Sequence, residues 1–302
     1  MSHSASNIEA QSPSANTPKR KITRRQLFRR ILGYAVVPGI GGVYATQVEP
    51  FWPEFHEQTV NVPGLPKSFD GMRIAHLTDL HAGRVPMSYL ETIVSRVKEL
   101  KPDIVAVTGD LVHHNIAWVD AVSNLLGTLN LPTYVSFGNH DYGVFRGDDE
   151  PYAAELPDKL EAALVANNCK VLRNAHTTID HDDGQLWIVG MDDLWFGNFS
   201  TPRAFAKVPK DATILALTHN PDTAEQVARH NPALILSGHT HGGQVRLPFI
   251  GALYLNTFNT KLDKGRFQLK NSVLYVSAGI GYIHRIRFYC RPEVPIFKLV
   301  RV

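Results

Sequence analysis

Two histidines one residue apart are the first sign of chemistry in this sequence. His239 and His241 lie in the glycine-rich stretch 238–243, directly after the apolar run 233–236. Residues i and i+2 of an extended chain point the same way, and flanking glycines let the backbone approach a small charged object. Such a pair can bind a metal ion, although taken alone it is more typical of a polar loop that closes a strand.

Further polar motifs occupy the same position after other apolar runs. The runs 73–77, 104–108, 133–137 and 214–217 each predict a buried strand. In open α/β sheets, ligands bind at the carboxyl edge of the strands. We therefore expect one cluster of side chains at that edge, contributed by Asp79, His81, Asp110, Asn139, His140, Asp141 and His219 together with the His239/His241 pair.

The candidate ligands are carboxylate, amide and imidazole groups, without a thiolate. This set suits divalent first-row ions such as Mn, Fe or Zn and argues against a closed structural zinc site. Two aspartates neutralise only half of the roughly +4 charge of two such ions, so that the centre would attract a phosphate anion. Seven ligands are too many for one ion and suit two that share a carboxylate: Asp79, His81, Asp110, Asn139, His219, His239 and His241.

The elements that must position these residues alternate between strand and helix. An apolar spacing of i, i+3, i+4 and i+7 predicts a helix from Pro86 to about residue 100, and a second helix is expected over 117–129. With the strands, this gives β-α-β-α-β and a largely parallel sheet. Further predictions are helices at 153–167 and 222–230, a hairpin of strands 171–180 and 185–191, strands at 273–277 and 294–302, and an edge segment at 51–65 with a short strand at 60–62.

The order Asp-x-His, Gly-Asp, Gly-Asn-His-Asp, lone His and Gly-His-x-His resembles the calcineurin-like metallophosphoesterases. With residues 218–222, 190–195 and 290–294, the sequence is similar to the bacterial YaeI/YkuE-type phosphodiesterases within that family. The resemblance implies an α/β fold, a four-layer α-β-β-α sandwich of two mixed sheets. It also implies one metal ion held by Asp79, His81, Asp110 and His241, and a second held by Asp110, Asn139, His219 and His239, with Asp110 bridging.

The resemblance assigns catalytic roles as well. His140 would donate a proton to the leaving oxygen, held in orientation by Asp141, with stabilisation of transition-state charge as its alternative role. Arg246 and Arg287 are candidates for binding the substrate phosphate.

Other residues are expected to have structural or solvent-exposed positions. His113 and His114 follow Asp110 closely and could line the cleft, but solvated loop residues are the favoured interpretation. Cys169 and Cys290, the two cysteines, are expected to be unpaired core thiols.

The net charge of +3 arises from the N-terminal tail. Residues 1–30 hold seven Lys/Arg and one acid, and the remaining 24 Lys/Arg and 27 Asp/Glu give the body a charge of −3. A nucleic-acid-binding face is therefore not expected. Residues 1–22 form a basic segment whose composition predicts disorder. Residues 23–48, with Arg24 and Arg25 ahead of an apolar stretch, resemble a twin-arginine export signal or membrane anchor; a basic amphipathic surface helix is the alternative.

These observations predict a catalytic domain over 60–302 and a metal-dependent phosphodiesterase at the cytoplasmic membrane. Export and the positive-inside bias favour a catalytic body on the outer side. The expected partners are a phosphoester substrate, lipid-linked substrates included, and the membrane through the N-terminal segment. Two alternatives stay open: a pyrophosphatase for a nucleotide-activated lipid precursor of the UDP-2,3-diacylglucosamine type, and a non-catalytic scaffold of the same fold.

Overall fold

The computed structural model describes residues 22–26, 38–143 and 154–302, and the chain forms two compact units, Met1–Gly42 and Val43–Val302. In the first unit residues 24–26 are helical, and Thr23 Oγ1 accepts a hydrogen bond of 3.2 Å from the backbone N–H of Gln26. Of the N-terminal segments predicted above, residues 1–21 and 27–37 lie outside the described residues. In the part of the chain that is described, no helix has both the length and the apolar character needed to cross a membrane.

The second unit is built from β-strands with helices between them. Three helices of at least two turns are α1 (Met87–Glu99), α2 (Val119–Gly127) and α3 (Leu156–Ala166). The strands of the described residues are β1 (Glu54–Val62), β2 (Arg73–Leu77), β3 (Ile104–Thr108), β4 (Thr133–Ser136), β5 (Cys169–Val171), β6 (Ala175–His181), β7 (Gly184–Gly190), β8 (Thr213–Leu217), β9 (Leu234–Ser237), β10 (Arg246–Leu247), β11 (Gly251–Ala252), β12 (Gly265–Leu269), β13 (Ser272–Val276) and β14 (Glu293–Arg301).

The first large sheet has the order β1-β14-β2-β3-β4-β5. Only β14 and β2 pair in antiparallel fashion; the other neighbours are parallel. The predicted β-α-β-α-β start is confirmed by β2, α1, β3, α2 and β4. Helix α1 buries its apolar positions at helical spacing against this sheet, namely Leu90, Ile93, Val94 and Val97.

The second large sheet has the order β12-β13-β9-β8-β7-β6, with parallel strands in the middle and an antiparallel strand at each edge. The predicted hairpin is confirmed by β6 and β7, but its first strand is shorter than expected. Residue 171 belongs to β5 in the first sheet, and the buried Leu172 follows where the chain crosses to the second. The predicted helix at 222–230 is one short helix, Ala224–Val227, between two 3₁₀ turns.

Three apolar clusters define the layers. One lies between the two sheets and includes Ile74, Leu215 and Phe297. A second packs α1, α2 and α3 on the outer face of the first sheet, and a third packs the short helices Thr201–Ala204 and Ala224–Val227 on the outer face of the second. The predicted four-layer α-β-β-α sandwich of two mixed sheets is thereby confirmed.

The body begins earlier than the predicted residue 60, which falls inside β1. The chain enters through two helical turns, Tyr44–Val48 and Glu49–Phe51, which contact the loop before β14. The carbonyl of Ala45 accepts from the N–H of Arg287 at 2.8 Å, and Glu49 Oε1 accepts from the N–H of Cys290 at 2.5 Å. Cys290 and Cys169 are both buried free thiols, as predicted.

Candidate metal centre

The seven predicted metal ligands lie together in the structure. They occupy the loops that follow β2, β3, β4, β8 and β9, and all seven side chains are buried. The two sheets therefore each present the carboxyl ends of their parallel strands to one shared site. This is the placement that the apolar runs in the sequence predict.

The first ligand group consists of Asp79, His81 and His241, whose donor atoms lie within 4.8 Å of one another. The Nε2 atoms of His81 and His241 are 3.1 Å apart, and Asp79 Oδ1 is 3.3 Å from His241 Nε2. Two imidazole nitrogens that face each other beside a carboxylate form a ready set of donors for one cation.

The second group consists of Asp110, His219 and His239, again within 4.8 Å. Asp110 Oδ2 lies 3.2 Å from His219 Nε2 and 3.6 Å from His81 Nε2, so this oxygen stands between the two groups. Asn139 is buried beside them, and its Oδ1 atom has no hydrogen-bond partner among the described residues. A buried amide oxygen without a donor is expensive unless a cation takes that place.

Hydrogen bonds determine which nitrogen each histidine of the second group presents. His219 Nδ1 donates to the carbonyl of Thr108 at 2.7 Å, which leaves Nε2 facing Asp110. His239 Nε2 donates to the carbonyl of Asn256 at 2.8 Å, which leaves Nδ1 facing His219 Nε2 at 3.2 Å. Such outer contacts fix the tautomer and ring orientation of metal-binding histidines. The residues present thus fit two divalent ions in donor type, number and orientation.

Burial and the Asp110 charge set the protonation of these histidines. Burial opposes the charged form of His219, but the Asp110 carboxylate raises the pKa of His219 to about 10. Burial lowers the pKa of His239 to about 4 and holds the pKa values of His81 and His241 well below their usual range. Burial thus favours the neutral form of His81, His239 and His241, which is the form of imidazole that binds a divalent cation.

The backbone under the ligands has an unusual conformation. Five of the seven have φ in the left-handed region: Asp79 (56°), His81 (48°), Asp110 (53°), His239 (71°) and His241 (49°). This region is sparsely populated by residues other than glycine, and a non-glycine residue there costs about 1–3 kcal/mol. It turns each strand end sharply, so that ligands from two sheets converge.

Asp141 has backbone partners that its predicted role does not include. Its carboxylate accepts four backbone N–H groups, those of Asp110 (2.8 Å), Leu111 (2.8 Å), Val112 (3.2 Å) and Gly138 (2.9 Å). Burial and the neighbouring Asp110 charge raise the pKa of Asp141, whereas the four donors favour the ionised form. Both carboxylate oxygens thus tie the loops after β3 and β4 together, and the predicted orienting role toward His140 stays a prediction.

His140 lies at the edge of the ligand cluster. Its Nε2 is 3.9 Å from Asp110 Oδ2, and its backbone N–H donates to Asp110 Oδ1 at 2.9 Å. The His113 and His114 rings pack against the His140 ring, with centroids 4.6 and 4.0 Å away. The prediction that these two are solvated is wrong: they are 8% and 5% exposed, since the loop after β3 folds back along the site.

His113 also contacts a predicted ligand directly. Its Nδ1 is 3.2 Å from His81 Nδ1, and its Nε2 accepts from Arg84 Nη2 at 2.9 Å. The contact with His81 was not predicted, but the alternative that His113 lines the cleft follows from its position three residues after Asp110 on a strand-end loop.

The two arginines proposed to bind phosphate have other partners. Arg287 is 0% exposed, and its guanidinium donates to the backbone carbonyls of Ala278, Gly281 and Cys290. Its predicted substrate contact is wrong, because the structure uses this charge to hold three loop carbonyls. Arg246 pairs with Asp263 at 2.8 Å and is not among the residues that line the adjoining cavity.

A cavity of about 450 Å³ opens onto the ligand cluster. One part of its lining is polar and includes Asp110, Asn139, His140, His239 and His241. The apolar part of the lining consists of Val245, Leu253, Tyr254, Ile283 and Ile286. The cavity can thus accept a molecule that carries both a charged group and hydrocarbon.

Comparison with known proteins is consistent with this site. A family model described as calcineurin-like phosphoesterase matches residues 72–243. The uncharacterized metallophosphoesterase YkuE of Bacillus subtilis is 31% identical, with 93% of this chain and 98% of that protein covered. Phosphodiesterase YaeI of Escherichia coli is 32% identical, with 92% and 100% covered. UDP-2,3-diacylglucosamine pyrophosphatase LpxG of Chlamydia muridarum is 26% identical, with 78% and 86% covered. The family model and the two relatives that are 31% and 32% identical over more than nine-tenths of the chain show that this protein belongs to the calcineurin-like phosphoesterase family.

Proposed function

We propose that this enzyme is a phosphodiesterase that works with two divalent metal ions. The observation that carries the proposal is the pair of ligand groups on either side of Asp110, both buried and both open to one cavity. Asp79, His81, Asp110 and His241 would hold one ion, and Asp110, Asn139, His219 and His239 the other. When bound, two such ions activate a water molecule and neutralise charge on the phosphate in an in-line displacement.

The protein's own residues orient the reacting groups. Asp141 fixes the loops that carry Asp110 and Asn139, so that the relative position of these ligands does not depend on the substrate. His140 lines the cavity beside them and is assigned to the leaving oxygen. Its imidazole N–H can either transfer a proton to that oxygen or stabilise its charge by a hydrogen bond.

The apolar part of the lining supports a hydrocarbon-bearing substrate. Phosphate oxygens belong at the ligand cluster, and Leu253, Tyr254 and Ile286 then face the remainder of the substrate. A lipid-linked phosphodiester has this distribution of charge and hydrocarbon. A second candidate, hydrolysis of a pyrophosphate in a nucleotide-activated lipid, uses the same features and is favoured by the similarity to LpxG.

The proposed location is the outer face of the cytoplasmic membrane. The support is the sequence of residues 23–48, in which Arg24 and Arg25 precede an apolar stretch as in twin-arginine signals. Replacing both arginines with lysine should keep the protein in the cytoplasm. Protease accessibility in spheroplasts measures this, and an unchanged distribution of the variant would refute the export route.

Hydrolysis of bis-p-nitrophenyl phosphate and of p-nitrophenyl phosphate by the purified full chain tests the reaction. We expect Mn²⁺-dependent diester cleavage that chelator abolishes and that His140→Ala slows by about 10²–10⁴-fold. The variant Asp110→Asn/His241→Ala should lose metal and activity together, and full activity in that variant would refute the ligand assignment. A metal-loaded protein that cleaves neither these esters nor a lipid pyrophosphate would favour the scaffold alternative.

A further inference from the structure

Large apolar side chains are exposed on two loops beside the cavity. We call them the rim; its members are Phe249, Ile250, Leu253, Tyr254, Phe258, Ile286 and Tyr289. Phe249 is fully exposed, and Phe258 is nearly so. Isolated apolar residues on a surface are ordinary, but seven large ones on two loops beside one cavity are the composition of an interaction site.

The rim is continuous with the candidate active site. Leu253, Tyr254 and Ile286 belong both to the rim and to the lining of the cavity. The first rim loop also supplies the carbonyl of Asn256, which orients His239. Whatever covers the rim therefore lies next to the reaction site.

The rim loops are held in place by hydrogen bonds to two side chains, Asp222 and Gln244. Asp222 accepts from the Thr257 hydroxyl at 2.6 Å and from the N–H groups of Phe258 and Asn259 at 2.9 and 2.8 Å. Gln244 donates to the carbonyls of residues 284 and 286 and accepts from the N–H of residue 283. Apolar side chains on loops fixed in this way are presented outward by the fold, at a cost in solvation.

The charge of the rim segments is opposite to that of the remaining body. Residues 244–262 and 279–292 contain five Lys/Arg and no Asp or Glu, whereas the body as a whole carries −3. Two of these cations, Lys261 and Arg285, are exposed beside the apolar side chains. Aromatic residues flanked by cations are the composition that binds an anionic lipid interface.

The N-terminal entry of the body lies against the second rim loop. Ala45 and Glu49 bond to Arg287 and Cys290, and the half-exposed Trp52 ring stacks under the Arg291 guanidinium at 4.3 Å. Residues 43–48 are the last part of the segment predicted to be a signal or membrane anchor, and in the structure they belong to the body, where Ala45 is buried.

We propose that the rim inserts into the headgroup region of an anionic phospholipid bilayer, so that the cavity opens toward the membrane. The substrate would then be a phosphodiester lipid drawn from the bilayer plane, with its hydrocarbon along Leu253, Tyr254 and Ile286. The substrate class rests on the proposed function, but the docking does not. A second copy of the chain fits less well, because a twofold contact would bring Lys261 and Arg285 of two copies together.

Fluorescence quenching in the full-length, metal-free chain tests the docking without any chemistry. A polarity-sensitive dye on Phe249→Cys is compared with the same dye on Val165→Cys, an exposed apolar position on α3. Both native thiols are buried, so labelling is selective. With vesicles of phosphatidylcholine and phosphatidylglycerol that carry nitroxide lipids, the dye at 249 should be quenched and shifted to the blue, and the dye at 165 should not.

Several outcomes would overturn the proposal. One is a dye at 249 that stays unquenched while the chain sediments with the vesicles. Another is a blue shift that appears without vesicles as protein concentration rises, which would assign the rim to a second copy. The double variant Lys261→Glu/Arg285→Glu should show weaker quenching at 249 on vesicles that contain phosphatidylglycerol. If the dye at 249 in the unchanged background is quenched equally on vesicles with and without phosphatidylglycerol, the role of charge is refuted.

The substrate class has its own test. Phe249→Ser should lower kcat/KM for a phosphodiester lipid in vesicles roughly tenfold, the loss expected for one aromatic ring. The same variant should leave cleavage of bis-p-nitrophenyl phosphate unchanged, and Val165→Ser should change neither. Equal losses on both substrates would refute a docking role. Quenching at 249 in a chain that cleaves neither substrate would retain the docking and reject the proposed function.

Discussion

Replacing Asp141 with asparagine is expected to loosen two loops of the site at once without removing a metal ligand. The carboxylate accepts four backbone N–H groups, three from the loop after β3 and one from Gly138 after β4. An asparagine keeps one acceptor oxygen and places an NH₂ group where the other oxygen stood. Two of the four backbone donors then face another donor.

The magnitude follows from those two donors. A buried N–H left without an acceptor costs about 1–3 kcal/mol, so Asp141→Asn should lower the free energy of unfolding by about 2–6 kcal/mol. For a body of this size, that corresponds to a fall in Tm of roughly 5–20 °C. Because Asp110 and Asn139 lose their fixed spacing, metal affinity should also fall by about 10–100-fold.

Urea unfolding and metal titration measure these two effects separately. Asp183→Asn is the matched control, since this carboxylate also accepts from a backbone N–H, that of Ser68 at 3.0 Å, but is exposed to solvent and lies away from the ligand cluster. We expect the control to unfold and to bind metal like the unchanged protein.

The reasoning has a clear refutation. If Asp141→Asn leaves unfolding and metal affinity unchanged but lowers kcat as much as His140→Ala does, Asp141 acts through the His140 ring. The predicted role of Asp141 in orienting His140 would then be right, and its proposed role in fixing the two loops would be wrong.

Three further changes test other parts of the structure. Gly238→Ala should reduce metal affinity and activity, because a Cβ there would overlap Asp79 Oδ2. Metal titration measures the affinity, and an unchanged affinity in this variant would contradict the prediction. Burial opposes ionisation of Glu293, yet the hydrogen bond from His56 and the nearby charge of Lys264 lower its pKa to about 2. The ionised carboxylate therefore stabilises the folded protein fully above pH 4.5, and this contribution is lost as the pH falls toward 2. The difference in urea stability between the unchanged protein and Glu293→Gln should therefore shrink over that range, and a constant difference would contradict the assignment. Arg287→Met should lower Tm without a specific rise in KM, because it removes the donors to three loop carbonyls. A raised KM at unchanged Tm would instead support binding of the substrate phosphate by Arg287.

The strand-end motifs and the order of strands and helices could be predicted because each depends on local pattern. Apolar runs of four or five residues predict the strands, and the polar residues that follow them must then lie at one edge of the sheet. Asp79 and His241 are 162 residues apart in the sequence, yet each was predicted to lie at the carboxyl edge because each follows an apolar run. Composition and motif spacing were sufficient for this part of the fold.

The failures concern interactions that no local pattern encodes. Arg287 looked like a phosphate ligand because arginines in late loops are usually exposed, whereas here three carbonyls from neighbouring turns surround it. His113 and His114 were expected in solvent because the course of their loop depends on packing against His140. The acceptor role of Asp141 likewise depends on a neighbouring loop 30 residues upstream.

The left-handed backbone at five of the metal ligands bears on how this fold changes over generations. A replacement of Asp79, His81, Asp110, His239 or His241 by glycine removes a ligand and relieves backbone strain at the same position. Inactivating changes at these sites are thus partly compensated by a gain in folding stability. Once selection for hydrolysis ends, a lineage can lose its metal ligands while the domain stays stably folded. The presence of all five in one chain therefore argues that selection for metal binding has continued.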